Sequence, residues 1–372
     1  MKHRYFGEFF AGIGLVHAGL KDAGWTCAYA NDIDPKKREM YGHRFGDLTH
    51  YHLEDIWATD EVLSRIKVPL ELATASFPCV DLSQAGKGRG LRGKSSGAFF
   101  GFLEVMRGLK KRGQLPAQVL IENVMGFLSA NSGADFRLAC EALSELGYWL
   151  DVIVVDAKHF TPQSRPRLFI IGALEARVSG DVRHEVHRDA TESNDPLRPK
   201  KLQEALSGLQ LETGLFSVRA APLPPEQRMV EEVLDLHSGQ WWEHQKVAKH
   251  LDEMSENHRS VIEAFRCGGA WKLGTMYRRV RRGISRTEIR WDGLAGCLRT
   301  PRGGSSKQMV FAAGFGELRM RWMLPKEYAA LQGEPNFPLH VSNHQALFGF
   351  GDAVCVPAIS WIAEQYFDGL SS

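Results

Sequence analysis

A cysteine that follows a proline at the end of an apolar run is the residue best placed for nucleophilic chemistry in this 372-residue sequence. The run 70–75 is typical of a strand, and Pro78 would end its hydrogen-bond ladder, so Cys79 is predicted at the carboxyl edge of a sheet. Four basic side chains follow and would favour the thiolate form: Lys87, Arg89, Arg92 and Lys94. Most free cysteines are small buried hydrophobic residues, so position alone leaves both interpretations open.

A glycine-containing turn separates the first predicted strand from the first predicted helix. Its residues are Phe10, Ala11, Gly12, Ile13 and Gly14. Such a turn lets the backbone approach a ligand at a helix N-terminus, although it can also be only a tight connection. The dinucleotide pattern requires glycine at position 17, which is His17, so a nicotinamide or flavin diphosphate is disfavoured.

Carboxylates follow the next two predicted strands. Asp32 ends the second strand, where a carboxylate can hydrogen-bond ribose hydroxyls. Asp55, followed by Ile56, comes after the third strand and could contact an adenine edge. Together with the glycine turn, these positions predict an adenosine ligand that lacks a diphosphate.

Polar residues border two further apolar strands. Glu122 ends one of them at the same edge as Cys79, which favours acid–base chemistry over a capping or salt-bridged glutamate. Gln163, Arg165 and Arg167 precede the other strand and share one face if the segment is extended. Two guanidiniums there could hold a phosphate or a base carbonyl, whereas the alternative is a solvated edge strand.

Basic side chains cluster later in the chain and are interleaved with tyrosine and tryptophan. This composition resembles a phosphate-binding footprint, although a basic run is often only a solvated face. The arginines predicted to contact phosphates are Arg279, Arg281, Arg282 and Arg302.

The order of the elements predicts the fold class. Residues 4–175 alternate between strand and helix patterns, which indicates an α/β domain with a doubly wound, mostly parallel sheet of Rossmann-like type. A polar stretch at 184–201 reads as a linker, and the region beyond it predicts a second, smaller and irregular domain that could be strand-rich. An amphipathic helix is predicted over 353–363. The predicted boundaries are 1–178, 179–342 for the second domain with its hinge, and 343–372 for a C-terminal helix returning to the first.

Composition excludes several classes of protein. The formal net charge is +2, so a nucleic-acid surface would have to come from local clustering. The six cysteines lack CxxC pairs, which argues against a disulfide framework or structural zinc and suits a reducing cytoplasm. Neither a signal-peptide pattern nor a run of roughly 18 apolar residues is present, so we expect a soluble cytoplasmic protein.

Six short motifs occur in one order along the chain: Phe10-x-Gly12-x-Gly14, Pro78-Cys79, Glu122-Asn123-Val124, Gln163-x-Arg165-x-Arg167, Arg302-Gly303-Gly304 and Gly351-Asp352-Ala353-Val354. In this order they resemble the cytosine-5 DNA methyltransferases, over residues 6–175 and 290–365. The segment between these blocks falls where that family has its variable target-recognition region.

The resemblance implies a reaction and a set of residue roles. The Cys79 thiolate would add to carbon 6 of a flipped cytosine, and carbon 5 would take the methyl group of S-adenosylmethionine, with no metal. Glu122 would hydrogen-bond ring nitrogen 3, Arg167 would approach the base carbonyl, and Arg165 would hold Glu122 or a phosphate. Gln163 would lie on the DNA side. The resemblance implies cofactor contacts from Phe10, Ala11, Gly12, Ile13, Gly14, Asp32, Ile33, Asp55, Ile56 and Pro78.

The sequence departs from the family at four places without losing a reacting group: Ile33, the segment 80–83, the segment 94–97 and the segment 351–354. We expect a monomer that acts on duplex DNA, either with a cognate restriction endonuclease of a prokaryotic defence system or alone. Two alternatives stay open. One is the same chemistry on RNA, since a relative methylates transfer RNA, and the other is a non-catalytic binding module.

Overall fold

The computed structural model describes residues 4–77, 97–178, 195–218, 220–301 and 306–368, apart from the side chains of Arg281 and Asp368. A seven-stranded sheet forms its centre, with the strand order β3-β2-β1-β4-β5-β7-β6. Neighbouring strands from β3 to β5 are parallel, whereas β7 is antiparallel to both β5 and β6. The strands are β1 (Tyr5–Phe9), β2 (Thr26–Asp32), β3 (Tyr51–Leu53), β4 (Leu72–Ala75), β5 (Gln118–Val124), β6 (Tyr148–Asp156) and β7 (Pro166–Leu174).

Helices cover both faces of this sheet, which confirms the predicted α/β class. They are α1 (Leu15–Asp22), α2 (Pro35–Phe45), α3 (Thr59–Arg65), α4 (Ala98–Lys111) and α5 (Ala134–Glu145). Successive strand residues face opposite sides, so Leu72 packs in the core beneath α1 and α2, while Ala73 packs in the core beneath α3, α4 and α5. The predicted start of α2 is confirmed, because Asp34 accepts a hydrogen bond from the backbone N–H of Lys36 and Pro35 is the first helical residue.

The region beyond β7 is more regular than the sequence predicted. Lys200 and Lys201, assigned to a linker, lie in α6 (Lys200–Ser207). Further along, four antiparallel strands form a second sheet in the order β11-β10-β8-β9, packed against two helices with a core that includes Met276, Phe311 and Met320. We call the region from α7 to β11 the second lobe, and its elements are α7 (Val230–Val233), α8 (His244–Asp252), α9 (Glu256–Arg266), β8 (Lys272–Arg281), β9 (Ile284–Arg290), β10 (Met309–Gly314) and β11 (Glu317–Trp322).

The C-terminal segment packs against the large sheet. After α10 (Pro325–Leu331) comes α11 (Asn343–Asp352), which was not predicted, and the helix predicted over 353–363 is confirmed in part as α12 (Val356–Ile362). Pro357 lies in the first turn of α12, where its missing N–H costs little, and the chain is extended before it. Helix α12 contacts α1, where Ser360 donates a hydrogen bond to the carbonyl of Gly19.

One stretch of the described residues, Asn343–Phe367, has the length and apolar composition of a membrane span. However, 72% of it is buried inside the protein. The core clusters place Phe350, Ile359 and Phe367 among the side chains that pack on the large sheet. This stretch is therefore accounted for by core packing.

A buried ion pair ties the second sheet to α10. Arg321 of β11 and Glu327 of α10 form two hydrogen bonds of 2.6 and 2.9 Å, and both side chains are almost fully buried. Arg321 also donates to the carbonyl of Asp235, while Glu327 accepts from the backbone N–H groups of Asp235 and Leu324. Every oxygen of the carboxylate is thus engaged, and removing it would leave a buried guanidinium without its counter-charge.

We therefore expect Glu327→Ala to lower the free energy of unfolding by about 3–5 kcal/mol, as measured by urea denaturation. The matched control is Glu317→Ala, which breaks an exposed pair with Arg319 and should cost at most ~1 kcal/mol. Equal losses for the two variants would contradict this account of the lobe junction.

Candidate functional site

The glycine turn between β1 and α1 has the backbone geometry that brings main-chain groups to the surface of a site. Phe10, Gly12 and Gly14 all have positive φ, at 59°, 57° and 82°. A side-chain carbon at Gly14 would lie 2.6 Å from the rings of Tyr41 and Phe45, so only glycine fits there. The side chains of Ala11 and Ile13 are buried and belong to the core, so they do not themselves line the surface of the turn.

Asp32 ties the glycine turn to the end of β2. One oxygen of its carboxylate accepts the backbone N–H of Gly12 at 2.9 Å, and the other accepts that of Asp34 at 2.9 Å. The Ala11 N–H adds a bond to the carbonyl of Asn31. The carboxylate predicted to meet a ribose is thus held at the carboxyl edge beside the turn.

Large apolar side chains are exposed beside this carboxylate. Ile33 is 68% exposed after β2, Leu53 is 49% exposed at the end of β3, and Trp57 is 53% exposed just beyond. Asp55 is exposed and accepts the backbone N–H of Trp57, whereas the Ile56 side chain is buried. Apolar surface of this kind at a sheet edge suits a flat ring. Trp57 was not predicted as a site residue, although an aromatic residue directly after Asp55 and Ile56 is a signal present in the sequence.

A buried polar network lies under the turn and explains the histidine at position 17. The Nδ1 atom of His17 lies 2.5 Å from the hydroxyl of Tyr41, which also lies 2.8 Å from Nε2 of His50. The His17 ring stacks on Phe45 with ring centroids 4.0 Å apart, and burial lowers the pKa of His17 to about 3. The Sγ atom of Cys27 lies with these imidazole nitrogens within 4.8 Å. Because the Tyr41 hydroxyl already bonds to both rings, we interpret the cluster as a hydrogen-bonded network.

Glu8 of β1 belongs to the same buried region. Its Oε1 atom accepts the backbone N–H of His17 at 3.3 Å. Burial raises the pKa of the Glu8 carboxyl to about 8, with a smaller contribution in the same direction from Asp32. The floor beneath the turn is therefore built from polar groups that burial holds in their neutral forms.

Glu122 and Arg167 form the second half of the site, at the carboxyl end of β5. The Nε atom of Arg167 lies 3.0 Å from Oε1 of Glu122, and Arg167 also donates to the carbonyl of Pro166. In the ladder, Glu122 faces Phe169 and Arg167 faces Val124, so the ion pair is a diagonal contact on one face of the sheet. The prediction that Arg165 holds Glu122 was wrong, because Arg167 does so.

Arg165 is instead a buried connector. Its guanidinium donates to the carbonyls of Leu298, Gly351 and Ala353, at 2.7, 3.2 and 2.5 Å. The backbone N–H of Arg165 donates to Asp156. Burial lowers the pKa of this guanidinium, and the charge of Arg167 acts in the same direction. A phosphate contact by Arg165 is therefore not supported, since its bonds go to main-chain carbonyls inside the protein.

The DNA contact predicted for Gln163 is also wrong. Its side chain is fully buried, donates to the carbonyl of Leu331 at 2.7 Å and accepts the backbone N–H of Leu298 at 3.2 Å. Gln163, Arg165 and Arg167 do face one segment of the chain, as predicted. Gln163 and Arg165 form hydrogen bonds with the backbone of Leu298, and Arg167 contacts the sulfur of the preceding residue, Cys297. What the sequence could not show was that another part of the protein covers that face.

Some of the predicted site residues lie outside the part of the chain that the structure describes. Pro78, Cys79 and Arg302 lie outside the described residues, as does the side chain of Arg281. Strand β4 lies between β1 and β5, with Ala75 paired to Phe9 and Ile121, so the chain leaves the sheet between the glycine turn and Glu122.

Of the four arginines predicted to contact phosphates, Arg279 and Arg282 have described side chains, and both lie on the β8–β9 hairpin. Arg279 on β8 lies 3.4 Å from a carboxylate oxygen of Glu288 and stacks on Tyr277. Arg282 is exposed at the turn with a φ of 50°. Of these two arginines, only Arg282 projects its charge at a turn, whereas the charge of Arg279 is partly neutralised by Glu288.

Solved structures define the class to which this architecture belongs. Over its full length the chain superposes on a methyltransferase from S. pombe, Dnmt2, with a TM-score of 0.61 at 17% identity. It superposes on 99% of a structure described as a DNA modification methyltransferase from an E. coli prophage, with a TM-score of 0.55 at 15% identity. The fold is therefore the Rossmann-like fold of methyltransferases.

Sequence comparison identifies the family. The model of the C-5 cytosine-specific DNA methylases matches residues 5–368, so this chain belongs to that family. It is 32% identical over 169 residues to the type II methyltransferase M.BsuFI of Bacillus subtilis, a segment that spans 38% of that relative. It is 23% identical to M.MspI of a Moraxella species over 97% of this chain and 69% of the relative.

The rings packed against Gly14 predict that adding a side chain there lowers the stability of the fold by more than the positive φ alone would. We expect Gly14→Ala to destabilise the protein by about 3 kcal/mol or more, because the rings of Tyr41 and Phe45 must move. Gly24→Ala is the control, since Gly24 has a φ of 80° with open space around it and should cost ~1–2 kcal/mol. Denaturant unfolding measures both, and similar values would show that the rings do not restrict the turn.

The raised pKa of Glu8 predicts a pH dependence of stability. The folded state binds the Glu8 proton more tightly than the unfolded state, so this stability is present below about pH 4.5 and is lost as the pH rises through 8. We expect Glu8→Gln to raise the melting temperature at pH 9 by about 3 °C or more and to change it little at pH 5. Glu104→Gln, which changes an exposed side chain on α4, should show no such difference between pH 5 and pH 9. An effect of Glu8→Gln that does not depend on pH would refute the raised pKa of Glu8.

Proposed function

We propose that this protein transfers a methyl group from S-adenosylmethionine to carbon 5 of a cytosine in duplex DNA. The observation that carries the proposal is the Glu122–Arg167 pair at the carboxyl edge of the sheet, with only strand β4 between β5 and the strand that leads into the glycine turn. Strand β4, which leads toward Cys79, leaves the sheet between them. In this proposal the cofactor turn follows β1, the nucleophile follows β4 and the acid–base group lies at the end of β5, and these three strands are adjacent in the sheet.

The residues at the first half of the site fit the proposed cofactor. The backbone at Gly12 and Gly14 would accept the amino-acid part, and the Asp32 carboxylate keeps lone pairs free for ribose hydroxyls. Ile33, Leu53 and Trp57 offer apolar surface for adenine, so Trp57 compensates for the small stacking area of Ile33. When bound, S-adenosylmethionine supplies an electrophilic methyl group.

The protein's own groups would make the cytosine reactive. Carbon 5 is a poor nucleophile, so the Cys79 thiolate adds to carbon 6, and the electron pair of the 5,6 double bond moves toward carbon 5 and the ring. Glu122 hydrogen-bonds ring nitrogen 3 and stabilises the charge that develops there. Arg167 orients Glu122 through their 3.0 Å contact. After methylation, a base or water takes the proton from carbon 5, the electron pair of that C–H bond restores the 5,6 double bond, and the bond between carbon 6 and sulfur breaks to release the Cys79 thiolate.

The substrate would be a base extruded from the helix, since carbons 5 and 6 are stacked inside a duplex. The second lobe supplies the hairpin with Arg279 and Arg282 for phosphate contacts, and Arg282 at the exposed turn is the better placed of the two. Type II relatives suggest a role beside a restriction endonuclease, which we include in the proposal.

The test is transfer of labelled methyl groups to mixed-sequence duplex DNA and to total RNA offered side by side. We expect label in DNA at one recurring motif, no label with Cys79→Ser, and about a hundredfold slower transfer with Glu122→Gln. Glu104→Gln, an exposed glutamate on α4, is the matched control and should act like the wild type. Label in RNA alone would replace DNA as the substrate, and an unimpaired Cys79→Ser variant would overturn the mechanism.

A further inference from the structure

A short segment of the second lobe lies directly across the residues that precede β7. The N–H of Ala295 donates to the carbonyl of Pro162 at 2.7 Å, and the N–H of Ser164 donates to the carbonyl of Ala295 at 2.9 Å. Leu298 receives the side chains of Gln163 and Arg165, as described above. The backbone on both sides of residue 297 is therefore fixed against the site.

This docking brings a second thiol to the Glu122–Arg167 pair. The Sγ atom of Cys297 lies 3.4 Å from Nη1 of Arg165 and 3.9 and 3.8 Å from Nη1 and Nη2 of Arg167. Arg167 thus has Glu122 at its Nε side and the sulfur at its terminal nitrogens. Cys297 is half-buried, whereas Cys27, Cys140 and Cys355 are buried, and the sulfur contacts of the Arg167 guanidinium are with Cys297.

The local charges favour an anionic sulfur. Burial opposes ionisation of Cys297, but the charges of Arg165, Arg167 and Arg299 outweigh it and lower the pKa of the thiol. In the opposite direction, Cys297 helps to stabilise the buried charge of Arg165. Two guanidiniums, one carboxylate and one thiolate would together be electrically balanced.

We propose that Cys297 is a positioning residue whose sulfur holds the Arg167 guanidinium so that its Nε faces Glu122. The sulfur contacts the terminal nitrogens and leaves Nε for the carboxylate. A negative charge on the sulfur would also offset one of the two positive charges beside Glu122, the group proposed to serve ring nitrogen 3. This role in catalysis rests on the proposed methyl transfer, whereas the state of the thiol does not.

The first measurement is therefore independent of activity. The full-length protein is alkylated with iodoacetamide across a range of pH, and peptide mass spectrometry reports the rate at each cysteine. We expect Cys297 to react as a thiolate at lower pH than Cys267, the other accessible cysteine among the described residues, and Arg167→Gln to move the Cys297 profile toward higher pH. A Cys297 profile that coincides with that of Cys267, or that ignores Arg167→Gln, would overturn the proposal.

The second measurement compares methyl transfer by Cys297→Ser, Cys297→Ala and the control Cys267→Ser. We expect kcat to fall about tenfold for both Cys297 variants with KM for S-adenosylmethionine unchanged, since only the base half of the site is disturbed. In both variants the upper end of the pH range in which the enzyme is active should move to lower pH, because both remove the negative charge of the Cys297 sulfur beside Arg167. Serine keeps the shape of the side chain but not this charge. A Cys297→Ser variant with the wild-type profile would overturn the charge role. Absence of transfer by the wild type would refute the proposed function and leave the alkylation test intact.

Discussion

The buried guanidinium of Arg165 is the interaction on which the geometry of the site depends. A charged group removed from water is costly unless its hydrogen bonds are replaced, and here carbonyls of the second lobe and of the C-terminal segment replace them. The same bonds tie Arg165 to two distant segments, at Leu298, 133 residues away in sequence, and at Gly351 and Ala353, 186 and 188 residues away. Because Arg167 follows two residues later, its position beside Glu122 is set by the same connection.

The order of the strands accounts for the rest of the arrangement. In a parallel sheet the carboxyl ends meet at one edge, and the neighbours β1, β4 and β5 bring the glycine turn, the chain toward Cys79 and Glu122 together there. Strand β7 inserts antiparallel between β5 and β6, so its first residues, not its last, reach this edge. Arg167 can meet Glu122 only because of that reversal.

The sequence predicted the elements better than the partners of individual side chains. Alternating apolar runs, the cap at Asp34 and the glycine turn depend on nearby residues, so local patterns were sufficient for them. Gln163 and Arg165 were misassigned because polar residues at alternate positions look the same whether water or distant carbonyls receive them. The second domain was predicted to be irregular, although possibly strand-rich, because its sequence has few long apolar periods and many glycines. Cys297 gave no signal at all, since its neighbours are created by the docking of segments distant in sequence.

The glycine turn and the Glu122–Arg167 pair lie in different electrostatic surroundings, because neutral polar groups lie beneath the turn whereas charged groups lie beside the pair. Beneath the glycine turn, His17 and Tyr41 share a hydrogen bond in a region where burial disfavours charge, so the floor is polar but neutral. Asp32 is then the carboxylate that touches the turn. Beside Glu122, by contrast, guanidiniums are held close together by fixed carbonyls and a sulfur. A neutral floor can hold a ligand by shape and main-chain bonds, whereas a cluster of opposed charges can respond to charge that develops on a base during reaction. The division of labour expected of a bound cofactor and a reacting base is thus already present in the protein's own charges.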